Sequence, residues 1–460
     1  MKRKFPEAIT IIMIIMIVFI VLTWIIPAGE FQFELINGRN YLIPGSFSFT
    51  EPSPQGLAAF LMAPVKGFVQ AGLIIGFCFL VGGSFGILNK TGAIDAGLMA
   101  MLRKTAGKQG SKRMVIVLLM LIFSVCGATF GMSESVLVFI MLTIPMARAM
   151  GYDSITGLSV SFLAAGVGFA GALTNPFTIG IAQGIAGLPI FSGWEYRLLV
   201  WFVFTAAAIA FVLIYIHRIE KDPSKSPVYD LDAEVKETAG RQEEIPFDVS
   251  RKMVVILLFA VLALIIYGSN RWKWYINEIS AVFLALGIVS AIVARLKTSE
   301  AVKAFVSGAK DMVMAALVIG LARGLLVIAE DGRIIGTMLF YIAQYANRFH
   351  TVMAVEMMFV FQGFLNFFVP SGSGQAALSM PVMAPLSDLV GISRQTAVLC
   401  FQFGDGIFNM IIPTSGVTMG ALSIAGVPYN KWAKWLAPLI LILTLLAMLL
   451  LIPPVILFNY

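Results

Sequence analysis

Apolar runs long enough to cross a bilayer punctuate the chain at 8–28, 71–90, 196–216, 252–268, 275–294 and 436–457. Lipid leaves the helix as the way for such a run to satisfy its own N–H and C=O groups. The expected fold is therefore an all-α polytopic membrane protein. Other apolar segments break the pattern. Residues 54–69 predict an amphipathic helix on the outer face. Segments 114–130 and 135–149 are each short for a span, and TFGMSES lies between them, so the pair predicts a re-entrant hairpin that enters and leaves on one side. Segment 155–186 is cut by TNPFT at 174–178.

The order then recurs. A polar segment at 217–252 is followed by plain helices at 252–268 and 275–294 and by the basic amphipathic stretch RLKTSEAVKAFVSGAK. Next come a helix at 311–329, a polar loop, a hairpin around PSGSG at 370–374, a helix cut by PTSGVT at 413–418 and a final span. The first half has one plain helix before its amphipathic stretch and the second has two, so the second copy is expected upside down. A gapless shift of 240 lays Ser133 on Ser373, Pro145 on Pro385, Gly151 on Gly391 and Thr156 on Thr396. It also lays Gly166 on Gly406, Thr174 on Thr414, Thr178 on Thr418 and Gly180 on Gly420. These matches fall on hairpin tips, loop glycines and breaks, which says more than their number. The division expected is a first inverted repeat at 1–216, a cytoplasmic linker at 217–251 and a second inverted repeat at 252–460.

Charge adds orientation. Lys2, Arg3 and Lys4, and the cluster Lys90, Arg103, Lys104, Lys108, Lys112 and Arg113, mark cytoplasmic segments, placing the N-terminus inside and the C-terminus outside. The same rule accounts for the net charge of +7 without nucleic acid as a partner. Residues 8–28 differ from a signal peptide, since nothing from Trp24 to Glu30 resembles a small-residue cleavage site. Cys78, Cys126 and Cys400 lie singly in apolar segments, which excludes a disulfide framework or a metal cluster as an expectation. No nucleotide-binding, zinc-protease or nucleophile-elbow motif is present, so an ATP-driven or hydrolytic enzyme has no support.

The four breaks supply the chemistry. A helix interrupted at membrane depth offers N–H groups at a positive dipole end and C=O groups at a negative one. Paired breaks in inverted repeats point to a secondary transporter's midplane site. The candidate binding residues are Ser133, Glu134 and Ser135; Thr174, Asn175 and Thr178; Ser371, Gly372, Ser373, Gly374 and Gln375; and Asp405, Asn409, Thr414, Ser415 and Thr418. No cofactor is expected beyond a Na⁺ or H⁺ coupling ion, with Na⁺ placed near Ser133, Asn175, Ser373 and Thr414. Glu134 and Asp405 are carboxylates at depth and functional candidates by default. Arg323, in GLARGLLVIAE, is the strong cation read inside a helix: a ligand for a substrate carboxylate or a partner of Asp405 or Glu134.

The opening FPEAITIIMIIMIVFIVLTWIIPAGEF, the GMSES tip, ALTNPFTIGIAQ, and VPSGSGQAALSMPVMAPLSD with QFGDGIFNMIIPTSG resemble the ion transporter superfamily. Within it they are similar to the YfcC-like branch of the dicarboxylate anaerobic carrier and arginine–ornithine antiporter family. The resemblance implies an elevator carrier with a dimerising scaffold, here 8–112 and 252–329, and a transport domain, here 114–216 and 351–460. Carboxylate carriers of the superfamily show Ser-Asn-Thr at the tips. This chain has Ser133-Glu134-Ser135 and Ser371-Gly372-Ser373, which points away from a dicarboxylate. The expected function is a secondary active transporter of the cytoplasmic (inner) membrane for a small amino acid, a basic one favoured. It would work as an antiporter or an ion-coupled symporter, and as a homodimer. A Na⁺- or H⁺-coupled dicarboxylate carrier is the alternative, and a channel a third reading.

Overall fold

Long apolar stretches become helices throughout, and their breaks decide the architecture. The computed structural model describes residues 8–36, 39–42, 46–94, 96–97, 100, 109–175, 177–238, 246–272, 274, 276–346 and 350–456. The orientation signals at Lys2, Arg3, Lys4, Arg103, Lys104 and Lys108 lie outside the described residues. The first half contains α1 (Ala8–Ile25), α2 (Leu57–Gln70), α3 (Gly72–Thr91), α4 (Gln109–Phe130), α5 (Val136–Ala149), α6 (Ser154–Gly171), α7 (Ile179–Ile185) and α8 (Trp194–Lys221). Helix α9 (Tyr229–Thr238) follows. The second half contains α10 (Val249–Arg271), α11 (Ile276–Val293), α12 (Thr298–Asp311), α13 (Val313–Asp331), α14 (Ile334–Ala346), α15 (Thr351–Phe368), α16 (Gly372–Leu389), α17 (Arg394–Phe408), α18 (Gly416–Ala425) and α19 (Tyr429–Ile456). Among the described residues eight helices are long and apolar enough to cross a membrane: α3, α4, α6, α8, α11, α13, α15 and α19. The segment after α1 forms two antiparallel ribbons: β1 (Gly29–Glu30) with β4 (Ser48–Phe49), and β2 (Phe33–Ile36) with β3 (Arg39–Leu42).

One group of helices packs through glycine. Helix α3 lies against α11 and α12, and α13 lies against α1 and α2. A Cβ at Gly308 would fall 2.1 Å from the Gly82 carbonyl, and one at Gly67 would fall 2.4 Å from the Gly320 carbonyl. Without a hydrophobic drive between helices in lipid, such backbone approach is what holds them. The other group surrounds two broken helices. Helix α6 packs on α4, α8 and α17, and α17 packs on α15, α16 and α19. Nearly all of α6 is buried, and it widens into a π turn at Ser159–Leu163. Helix α13 joins the groups by also touching α18.

Three expectations change. The polar loop of 330–350 contains α14, whose Ile334, Ile335, Met338 and Leu339 are buried on one face. Its charged flanks hid a 13-residue helix. Segment 114–130 is the inner part of a 22-residue helix, so the first hairpin arm is not short. The linker expected at 217–251 is partly built into the fold. Helix α8 runs on to Lys221 and α10 starts at Val249. Asp232 of α9 accepts from Arg148 Nη2 (2.8 Å) and from the Ser154 backbone N–H (2.8 Å). Ser226 donates to Asp153 (2.6 Å), and Tyr215 donates to the same carboxylate. The linker residues 239–245 lie outside the described residues.

Candidate functional site

The first hairpin turns at Gly131–Ser135 between α4 and α5. Gly131 has φ +68°, and a Cβ there would sit 2.3 Å from Asn175 Oδ1, so only glycine lets the tip meet the first break. That break is tied to α4: the Thr174 N–H donates to the Ala128 carbonyl (3.1 Å) and Thr174 Oγ1 to the Thr129 carbonyl (3.2 Å). Asn175 Oδ1 accepts from the Phe177 N–H (2.9 Å), fixing an Asx turn that starts the next helix.

Two carbonyls released by the break, those of Ala172 and Leu173, go to Arg197, which also binds two in the turn before α8. Its guanidinium, fully buried at the start of α8, donates to the carbonyls of Ala172 (2.9 Å), Leu173 (3.2 Å), Phe191 (3.1 Å) and Ser192 (2.8 Å). A cation at a helix C-terminus is favoured by the dipole as well as by the hydrogen bonds. Arg197 was not legible as a site residue. In sequence it is one more charge at the edge of an apolar run, whereas Arg323 drew attention by lying inside one.

The second hairpin breaks at Val369–Ser371, and Gly372, Ser373 and Gly374 already form the first turn of α16. Ser371 caps it, its Oγ accepting from the Gly374 N–H (3.4 Å). Gln375 Nε2 donates to Gln362 Oε1 and to the Gln362 carbonyl (2.8 Å each), so Gln375 ties the arms together. In the second break, Ser415 caps α18 by accepting from the Thr418 N–H (3.3 Å), and Thr418 Oγ1 donates to the Asn409 carbonyl. Neutral donors take the other carbonyls: Trp432 Nε1 bonds Met410 (3.0 Å) and the Tyr429 hydroxyl bonds Ile411 (2.9 Å). Asp405, in the last turn before this break, is fully buried. Its Oδ1 accepts from Asn409 Nδ2 (2.7 Å). Its Oδ2 finds no hydrogen-bond partner among the described residues, and neither do Thr178 Oγ1, Asn175 Nδ2 or Thr414 Oγ1. A Cβ on Gly372 would fall 2.8 Å from Asp405 Oδ2 and 2.5 Å from Thr178 Cγ2, so the glycine tip closes directly over this carboxylate.

Both tips line one cavity. Ser133, Glu134, Ser371, Gly372, Asn409, Ser415 and Thr418 face it, with Phe162, Gly166, Phe169 and Met410 as an apolar wall that sequence reading did not single out. A second cavity shares Glu134 and Ser371 and adds Thr414, Arg323 and Gln70. Asn175, Thr178, Gln375 and Asp405 are buried behind the tips, while Thr174 and Ser373 are exposed elsewhere. Ser135 and Gly374 line neither cavity. Of the four residues named for Na⁺, Ser133 lines the first cavity and Thr414 the second, while Asn175 is buried and Ser373 is exposed. Arg323 is bound by Gln70 Oε1 (2.8 Å) rather than by Asp405. The first cavity holds about 60 Å³, well under the ~300 Å³ of the smallest ordinary ligand sites, so a substrate requires the tips to part. Where hairpin 2 meets α17, Arg394 pairs with Asp388 (2.7 Å), and this hydrogen bond holds the Asp388 carboxyl below its usual range.

Comparison with known proteins places this arrangement. The family model described as DcuC, C4-dicarboxylate anaerobic carrier, matches residues 5–455. The chain is similar to an Escherichia coli (strain K12) protein named "Putative basic amino acid antiporter YfcC", at 34% identity over 93% of this chain and 92% of that protein. It is similar to an uncharacterized Haemophilus influenzae protein at 29% identity over 100% and 99% of the two chains. The crystal structure of the Alcanivorax borkumensis YdaH transporter aligns over 97% of each chain with a TM-score of 0.41 and 14% identity. The chain belongs to the DcuC family of C4-dicarboxylate anaerobic carriers, and it is a multi-pass membrane transporter, not an enzyme.

Proposed function

We propose that the protein is a secondary active carrier that exchanges basic amino acids across the cytoplasmic membrane, N-terminus inside and C-terminus outside. The observation that carries this reading is the shared cavity of the two tips. Glu134 faces it together with the first turns of α16 and α18, capped by Ser371 and Ser415. Helix N-termini suit an α-carboxylate and Glu134 suits a cationic group, so the cavity complements an amino acid with an extra positive charge. Asp405, sealed beneath Gly372 with one oxygen lacking a partner, needs a proton or a cation during the cycle. With Thr178 against the same glycine and its own hydroxyl lacking a partner, Asp405 is the better place for a coupling H⁺ or Na⁺ than the set expected from sequence. The relative named as a basic amino acid antiporter supports the same substrate class.

The movement we propose is an elevator. Two inverted repeats supply the hairpins and broken helices, which slide as a transport domain (114–216 and 351–460) along a scaffold (8–112 and 252–329). The scaffold dimerises through its unbroken helices. Two helix N-termini facing one cavity would also suit two carboxylates, so a dicarboxylate carrier is the second reading. Counterflow in proteoliposomes separates them. Labelled L-arginine should exchange with internal L-arginine and not with succinate; exchange of succinate alone would replace the first reading with the second. Repeating the assay with and without Na⁺ and a pH gradient identifies the coupling ion, and mass measurement in lipid tests the dimer.

A further inference from the structure

One cation in the cavity belongs to the opposite wall. Arg323 is the eleventh of the 19 residues of α13, roughly 12 Å along the axis from that helix's C-terminal end. It lines the cavity of about 140 Å³ that Glu134, Pro370, Ser371 and Thr414 line from the side of the tips and breaks. Helix α13 is clamped to α2 by glycine-to-backbone contacts at Gly67, Gly320 and Gly324, so Arg323 stands on the rigid side. Gln70 orients the guanidinium without neutralising it (2.8 Å), and among the described residues no carboxylate lies in ion-pair contact with it. Glu330, seven residues on at the exposed end of the same helix, feels the Arg323 charge but makes no ion pair with it. A guanidinium at this depth is costly unless its field is used.

We propose that Arg323 and Glu134 form an electrostatic latch between scaffold and transport domain. When no cation neutralises Glu134, attraction to Arg323 across the cavity holds the empty carrier in place. A cationic substrate competes for Glu134 and releases it. The latch makes transport an obligatory exchange, because the carrier moves only when loaded. This inference rests on the elevator and basic-amino-acid reading above.

The test uses the full chain in proteoliposomes loaded with labelled L-arginine. In the wild type, efflux requires L-arginine outside. In Arg323→Gln, efflux into substrate-free buffer should rise at least about fivefold, the lower end of ordinary coupling between two sites, while exchange continues. Arg323→Lys should stay near the wild type, since it keeps the charge, and Gln70→Leu should fall between. If Arg323→Gln folds poorly, Gln70→Leu carries the test alone. An unchanged ratio of net efflux to exchange in both Arg323→Gln and Gln70→Leu overturns the latch and leaves the carrier reading intact. Equal loss of all flux in Arg323→Gln and Arg323→Lys assigns Arg323 a merely structural role and also overturns it. A wild type that exchanges succinate and not L-arginine overturns the substrate reading, and the latch with it.

Discussion

The two broken helices occupy like places in the two halves, yet they are finished differently. At the first break a buried guanidinium, Arg197, gathers four carbonyls. At the second, Trp432, Tyr429 and Thr418 serve the carbonyls with neutral groups, and a buried carboxylate, Asp405, sits one turn away. The first break has a buried cation beside it, and the second a buried carboxylate with one oxygen lacking a partner among the described residues. Two broken helices in one chain are therefore not chemically equivalent. The residues that finish each break decide which one attracts a cation.

The sharpest way to break this comparison is to remove Arg197. Arg197→Met takes the charged donor from four carbonyls, that of Ala172 in a buried bond, and should lower stability by about 3 kcal/mol or more, since hydrogen bonds to charged groups contribute ~1.5–3 kcal/mol each. Trp432→Phe removes one neutral bond and should cost about 1–2 kcal/mol. Thermal melting in detergent compares them, and equal losses would erase the distinction between the breaks. Asp405→Asn and Glu134→Gln come next. Each keeps size but loses charge, and each should reduce exchange by roughly 30-fold or more, the factor set by removing one partner of a buried charge pair at ~2 kcal/mol. Melting should be unchanged in both. Exchange at the wild-type rate in both variants would return these acids to a structural role. Gly372→Ala should act through the tip alone: its methyl would meet Thr178 and Asp405. Overpacking of this kind costs about 1–3 kcal/mol, and exchange should fall while the unaltered acids keep their charges. For exchange, Asp232→Asn marks the small end. It weakens the bonds from Arg148 and Ser154 to a buried carboxylate, should cost about 1–3 kcal/mol in melting and should leave exchange kinetics in place.

Much of the helical order was legible because it rests on local signals. Apolar runs report spans, and Gly, Pro and Ser within them report breaks. Gly131 and Ser371 therefore pointed to the tips before any contact was known. Glu134 and Asp405 stood out because acids at such depth are rare. What stayed hidden depends on partners far along the chain. Arg197 gains its role from carbonyls some 25 residues earlier, and Gln70 gains its own from Arg323, 253 residues away. Helix α14 was missed because AEDGR and ANRFH frame it like a loop, while its burial depends on the β1 ribbon, α15 and α16, and Thr337 bonds the Pro27 carbonyl (2.6 Å). Even Gln375, a candidate ligand, spends its amide protons on a cross-link to Gln362, as Gln402 does on the Phe169 carbonyl.

The docking of Asp232 on Arg148 and Ser154 has a practical side. It anchors the chain after α8 to the turn that begins α6, so the first half carries its own tail through Thr238. The second half begins its helices only at Val249. Two separately encoded polypeptides, 1–240 and 241–460, would thus retain every contact described for either half, and would offer a way to label one half isotopically while leaving its complement silent.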